Sequence, residues 1–175
     1  LVIALTRGDG KQGRNIIEKM SKLVPLKIDR MGAVQVTGEV VAPSTIPNSR
    51  NYASGALNLK SMDEFNSREI RFVAYDVQPG VNENWTEDLS DLASEWFDTV
   101  IQSNWLEYPQ DGVVFRTNNR AKYEEMGYTS HHPRGAFALK ERPQGVITEL
   151  VDVIWQVGKS GVVSPVAILN PVQIG

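Results

Sequence analysis

A chain of 175 residues, 41% hydrophobic and 22% charged, has enough apolar material for the core of one ordinary domain and a fragment of a second. The lack of cysteine excludes disulfides, thiolate metal sites and thiol nucleophiles, and it fits a reducing, cytoplasmic setting. No apolar run approaches the roughly 20 residues of a membrane span, no signal-peptide pattern opens the chain, and a net charge of −3 confines any nucleic-acid contact to local patches.

In chain order, residues 1–6 are apolar and β-forming and read as a strand. Arg7-Gly8-Asp9-Gly10 is a turn signal. Residues 15–23 set Ile16, Met20 and Leu23 at helical spacing. Residues 32–41 alternate, with Val34, Val36, Gly38 and Val40 on one face and Gln35, Thr37 and Glu39 on the other, as a half-buried strand does. Residues 43–51 form a Pro-, Ser- and Asn-rich loop, residues 52–60 a short helix and residues 71–77 a strand. The strongest helix covers residues 85–102: Leu89, Leu92, Ala93, Trp96 and Val100 share a face, and Thr86 caps its start. A strand over 111–117 is entered through Asp111-Gly112, and a helix over 118–126 ends at Gly127. Strands follow over 135–140, 145–157 and 162–169. Pro165 makes the last an edge or bulged strand.

Helices and strands mix without a regular βαβ alternation, which predicts an α+β fold with largely antiparallel sheets. The expected boundary is Arg142-Pro143-Gln144-Gly145. It leaves residues 1–144 as one domain and residues 145–175 as a β-rich remainder too short to stand alone. Leu1 falls inside a strand and residues 171–175 run on from another, so the chain is expected to be a piece of something larger.

Few residues suggest chemistry in isolation. Arg7-Gly8-Asp9-Gly10 alone is a surface turn, and Glu39 alone is a solvated acid on a strand. Asp111 and Arg116 bracket one apolar stretch of backbone; the same pattern arises from a turn acid and a snorkelling arginine. Lys140 closes an apolar strand, where it either returns to solvent or aims at a phosphate. His131 and His132 are adjacent, so their side chains diverge. With no third ligand nearby they read as loop, and no metal ligand is expected. Lys27-Ile28-Asp29 begins like the nucleotidyltransferase motif Lys-x-Asp-Gly, but Arg30 follows, and the motif occurs nowhere in the chain.

The ordered set is more specific than its parts. LVIALTRGDGKQG (1–13), VTGEVV (36–41), NSRNYASGAL (48–57), IRFVAYDV (70–77), DGVVFR (111–116) and YEEMGYTSHHPRGAFALK (123–140) occur in the order and spacing of one family's motifs. They resemble the adenylation domain of NAD-dependent DNA ligases, downstream of the catalytic lysine. WQVGKSGVVSPVAIL (155–169) resembles the start of the OB-fold that follows it. The resemblance covers nearly the whole chain. It implies a nucleotidyltransferase fold for residues 1–144 and an incomplete OB-fold for residues 145–175.

The resemblance also implies a chemistry. A lysine amine attacks the α-phosphate of NAD and nicotinamide mononucleotide leaves. The AMP then passes to a 5′-phosphate at a nick in duplex DNA, and the 3′-hydroxyl displaces it. Such in-line displacements at phosphorus depend on positioning and charge neutralisation, with Mg²⁺ as the implied divalent ion. Glu39 would accept from the ribose, and Tyr75 would stack on adenine. Lys140 would contact the α-phosphate with Arg116 beside it. Arg7 and Arg50 would lie near the nucleotide and the nick phosphate, and Asp111 would orient its strand or a metal-bound water. Arg134 and Lys159 would touch the DNA backbone.

Departures from the pattern carry information too. The nucleophilic lysine and the nicotinamide mononucleotide-binding domain are expected from a partner polypeptide or an upstream segment, making this part of a split ligase. Arg116 and Lys159 stand where the family has Lys and Arg, Asn58 falls where it has a second Arg, and the 43–48 loop is short. These changes suggest a divergent, phage-like member. They also suit an alternative, a non-catalytic module that binds nucleotide or nicked DNA. The RGDG, NSRN and QVGKSG segments resemble the NAD-dependent family rather than ATP-dependent ligases or RNA-capping enzymes.

Overall fold

The computed structural model describes residues 1–30, 32–140 and 145–172. The chain divides into two compact units, Leu1–Lys140 and Glu141–Gly175. Residues 142–144 of the expected boundary lie outside the described residues.

In the first unit, β1 (Gln35–Val41), β2 (Arg71–Gln78) and β3 (Asp98–Thr99) form one sheet in that order. β1 and β2 are antiparallel, whereas β2 and β3 are parallel and joined through α4 (Trp85–Ser94). A second, antiparallel sheet pairs β4 (Gly112–Arg116) with β5 (Ala136–Lys140) across α5 (Arg120–Met126). Helices α1 (Ile17–Met20), α2 (Ser49–Ala56) and α3 (Met62–Asn66) complete the unit. Mixed helices and small, mainly antiparallel sheets agree with the α+β expectation.

The core lies in two clusters. One gathers Ala42, Ala53, Ala56, Phe65 and Ile70 around α2 and α3. The other packs Ala74 and Val77 of β2 against Leu89 and Leu92 of α4 and against Phe97. Ala74 and Val77 are three apart, so an unbroken strand would send them to opposite faces. They share a cluster because the register of β1 and β2 slips between Thr37 and Gly38. Thr37 faces Asp76 and Gly38 faces Ala74, leaving Tyr75 as the extra residue of a bulge.

Several elements differ from the sequence expectation. Residues 1–6 form no strand. They make one bridge, Leu5 to Asn15, flanked by Thr6 N–H to the Arg14 carbonyl at 3.0 Å and Ile16 N–H to the Ala4 carbonyl at 2.8 Å. Leu1, Val2, Ile3 and Leu5 remain exposed. A β-former becomes a strand only when a neighbour supplies a ladder. α2 starts at Ser49, inside the expected loop, and α3 was not expected. Its signal was present, since Ser61 accepts from the Glu64 amide at 3.3 Å, half of a capping box.

The helix expected over 85–102 ends at Ser94. Trp96 takes a left-handed backbone (φ 70) and is 89% exposed, while Phe97 turns into the core and Thr99 lies in β3. Thr86 is not the cap. Asn84 is, with Glu87 completing the capping box. The helical spacing of Trp96 and Val100 was accidental, because periodicity cannot show where a chain reverses.

In the second unit, β6 (Leu150–Val157) and β7 (Val163–Leu169) form an antiparallel hairpin whose β6 residues are all exposed. Pro165 keeps register opposite Trp155, and the irregularity falls between Leu150 and Asp152. Both strands of a two-stranded sheet are edges, so proline need not break either.

Candidate functional site

The Tyr75 bulge organises the site. Gly38 lies opposite it, and a Cβ there would meet the Val73 carbonyl oxygen at 2.3 Å, Phe72 Cζ at 2.6 Å and Ala74 Cα at 2.9 Å. Only glycine permits so close an approach. Tyr75 stays 41% exposed, within electrostatic reach of Glu39 and Arg7. Burial of part of the ring raises its phenol pKa. The Glu39 carboxylate raises it further, the Arg7 guanidinium opposes, and Asp76 adds to the rise. Glu39 and Arg7, both singled out in the sequence, are thereby close enough to act on the Tyr75 phenol.

The side chains of Glu39, Arg7 and Lys140 are exposed and make no hydrogen bond or ion pair among the described residues. Arg7 sits on a built turn. Asp9 accepts from the Lys11 and Gln12 amides at 2.9 and 2.7 Å, and Gly8 and Gly10 adopt positive φ. The Gln12 and Lys11 amides hold the Asp9 carboxyl below its ordinary range. Arg14, just beyond the turn, donates to Asn58 Oδ1 at 2.6 Å and to the Leu57 carbonyl at 3.2 Å. Asn58 therefore ties this turn to the end of α2.

The β4–β5 hairpin carries the other expected cations. Gly112 pairs with Lys140, Val114 with Ala138 and Arg116 with Ala136. Directly paired residues share a face, so Lys140 and Arg116 lie on one face at opposite ends of the hairpin. Phe115 and Phe137 stack on the other face with centroids 4.9 Å apart.

Arg116 is heavily engaged. Its Nη1 donates to Asp76 Oδ1 at 3.2 Å, and its guanidinium lies 5.1 Å from the Trp85 ring centre and 4.6 Å from that of Tyr123. Asp76, Trp85 and Tyr123 were not singled out as site residues in the sequence, because only folding brings β2, α4 and α5 to the end of β4. Asp111 is likewise engaged, at 3.3 Å from Arg50. Arg134 is exposed beside the Tyr128–Pro133 bridge, and Lys159 is exposed in the β6–β7 turn of the second unit.

Fully buried Asp88 accepts from the Val81 and Asn82 amides at 2.9 and 3.0 Å and from Arg120 Nε. Burial disfavours its charge. The two amides and the Arg120 guanidinium outweigh that and hold the carboxyl below its ordinary range. Arg30, which spoils the Lys-x-Asp-Gly pattern, donates to the Asp88 carbonyl at 3.3 Å. Its role is to anchor α4.

The described residues contain no group of three His, Cys, Asp or Glu arranged to hold a metal ion. Asp111 and Asp76 each pair with an arginine. Among the described residues no helix is long and apolar enough to cross a membrane.

No family model matches the chain. Individual proteins do match. A DNA ligase of Aquifex aeolicus is 32% identical over 97% of the chain and 30% of its own length. A DNA ligase of Clostridium novyi is 34% identical over 100% of the chain and 32% of its own. One of Flavobacterium johnsoniae is 32% identical over 99% and 32%. The chain spans about a third of the length of the curated relatives it matches. Over nearly all its residues, the chain is a relative of one stretch of proteins named DNA ligase.

Proposed function

We propose that this chain is part of an NAD-dependent DNA ligase that seals nicks in duplex DNA through ligase-AMP and DNA-adenylate intermediates. The observation that carries the reading is the exposed Tyr75 of the bulge, its phenol within electrostatic reach of the Glu39 carboxylate and the Arg7 guanidinium. An exposed ring with a neighbouring carboxylate and guanidinium suits a purine, a ribose hydroxyl and a phosphate respectively.

In this reading Tyr75 stacks on adenine and Glu39 accepts from the ribose. Lys140 meets the α-phosphate, and Arg116 supplies a second cation on the same face of the hairpin. As negative charge shifts between oxygens during displacement, cations aimed at those oxygens neutralise it. NAD is the adenylate donor and Mg²⁺ the implied ion, held on phosphate oxygens. Arg50, Arg134 and Lys159 meet the DNA backbone, with Asp111 orienting Arg50. The nucleophilic lysine comes from a partner or an upstream segment, together with the nicotinamide mononucleotide site.

The test is transfer of labelled AMP. The purified chain is incubated with NAD and Mg²⁺, alone and with a polypeptide carrying the lysine segment. Label on that polypeptide only in the mixture supports a split ligase. No label from a mixture whose components associate favours the non-catalytic binding module instead.

A further inference from the structure

Arg116 stands where the ligases that the chain resembles carry Lys, and its surroundings suit a planar guanidinium. One edge meets Asp76 at 3.2 Å, while the Trp85 and Tyr123 rings lie 5.1 and 4.6 Å from its centre. The arginine and aspartate side chains are only 21% and 14% exposed, and Arg116 Nε is buried without a hydrogen-bond partner in the described residues. An ammonium is a compact point charge and could not meet both rings and the carboxylate as a planar fork does.

The assembly is linked to the bulge. Trp85 Nε1–H donates to the Tyr75 backbone carbonyl at 3.0 Å. Tyr75 and Asp76 are consecutive in β2, so Trp85 and Arg116 grip adjacent residues of the irregular segment.

We propose that Asp76, Trp85 and Tyr123 are positioning residues that hold the Arg116 guanidinium in one orientation and couple it, through the Trp85 N–H, to the backbone that presents the Tyr75 ring. The functional consequence rests on the nucleotide reading above. The coupling itself can be measured without nucleotide. It makes Arg116→Lys a disruptive change in this chain, although it restores the residue of the resembling family.

The experiment is ¹⁵N NMR of the full chain and of Asp76→Asn, Trp85→Phe and Arg116→Lys, before and after addition of AMP. In the unaltered chain the Arg116 Nε–H signal is expected to be shifted by the flanking rings and slow to exchange. Trp85→Phe keeps a ring but removes the N–H, and should move both the Tyr75 amide and the Arg116 Nε–H. Asp76→Asn should move the Arg116 signal and the Trp85 indole, and Arg116→Lys the Tyr75 amide and the Trp85 indole. Weakening of AMP by about five- to tenfold, non-additive between Asp76→Asn and Trp85→Phe, is expected where the nucleotide reading holds.

A Tyr75 amide unmoved by both Trp85→Phe and Arg116→Lys would overturn the coupling. Should either variant fail to fold, Asp76→Asn alone decides through the Trp85 indole: movement supports the coupling and its absence overturns it. Intact coupling in a chain that does not bind AMP supports this inference and overturns the nucleotide reading.

Discussion

Arg50 and Asp111 are separated by 61 positions, yet the fold brings Arg50 Nη2 to 3.3 Å from Asp111 Oδ2 on an exposed surface. Such an exposed pair contributes only about 0–1 kcal/mol to stability. Arg50→Ala is therefore expected to leave the melting temperature nearly unchanged. If Arg50 meets a nick phosphate, the same variant weakens binding to nicked duplex and reduces the log–log salt slope by about one. Melting curves and salt-dependent fluorescence anisotropy check both parts. An unchanged slope removes Arg50 from the DNA surface.

Glu39 and Arg7 should be readable through Tyr75. Glu39→Gln removes a carboxylate that makes phenolate formation harder, so the Tyr75 phenol pKa is expected to fall. Arg7→Ala removes an opposing cation and is expected to raise it. Ultraviolet titration, with Tyr75→Phe to assign the transition, measures both signs.

Nucleotide selectivity tests the role proposed for Glu39. A hydrogen bond to a charged acceptor contributes about 1.5–3 kcal/mol, or roughly tenfold or more in affinity. AMP should bind at least about tenfold more tightly than 2′,3′-dideoxy-AMP, and Glu39→Ala should abolish that difference. Calorimetry that finds the preference intact in the variant would place the ribose elsewhere.

Asp88 gives a stability prediction with a defined sign. Its folded pKa is depressed, so its stabilisation is complete above the unfolded value of about 3.9 and is lost as pH falls through the lower folded value. Melting temperature should decline below about pH 4 in the unaltered chain and decline less steeply in Asp88→Asn. At neutral pH, Asp88→Ala strands the Arg120 guanidinium and is expected to cost about 3–5 kcal/mol. Equal pH slopes for both proteins would mean that Asp88 is not linked to folding.

Gly38→Ala probes the bulge. The new methyl would lie 2.3 Å from the Val73 carbonyl oxygen, and backbone on both strands must shift to admit it. A loss of about 1–3 kcal/mol is expected from such overpacking. Loss of AMP affinity beyond what stability explains would tie the bulge to the site. Full stability in chemical denaturation would show that the strands can open without cost.

The sequence by itself determined much of the local structure. Alternation in β1, the Asp111-Gly112 entry to β4 and Gly127 after α5 all leave local signals, because backbone conformation and amphipathic period act within a few residues. It also marked Glu39, Arg7, Tyr75, Arg116 and Lys140, through an ordered set of short motifs. Tertiary structure alone decided what those residues meet. The Tyr75 bulge depends on the register of β1 against β2, and the Arg116 enclosure on side chains from β2, α4 and α5. The fate of residues 1–6 depends on whether another strand offers a ladder. Register, packing and pairing are relations between distant segments, and no local pattern encodes which segments will become neighbours.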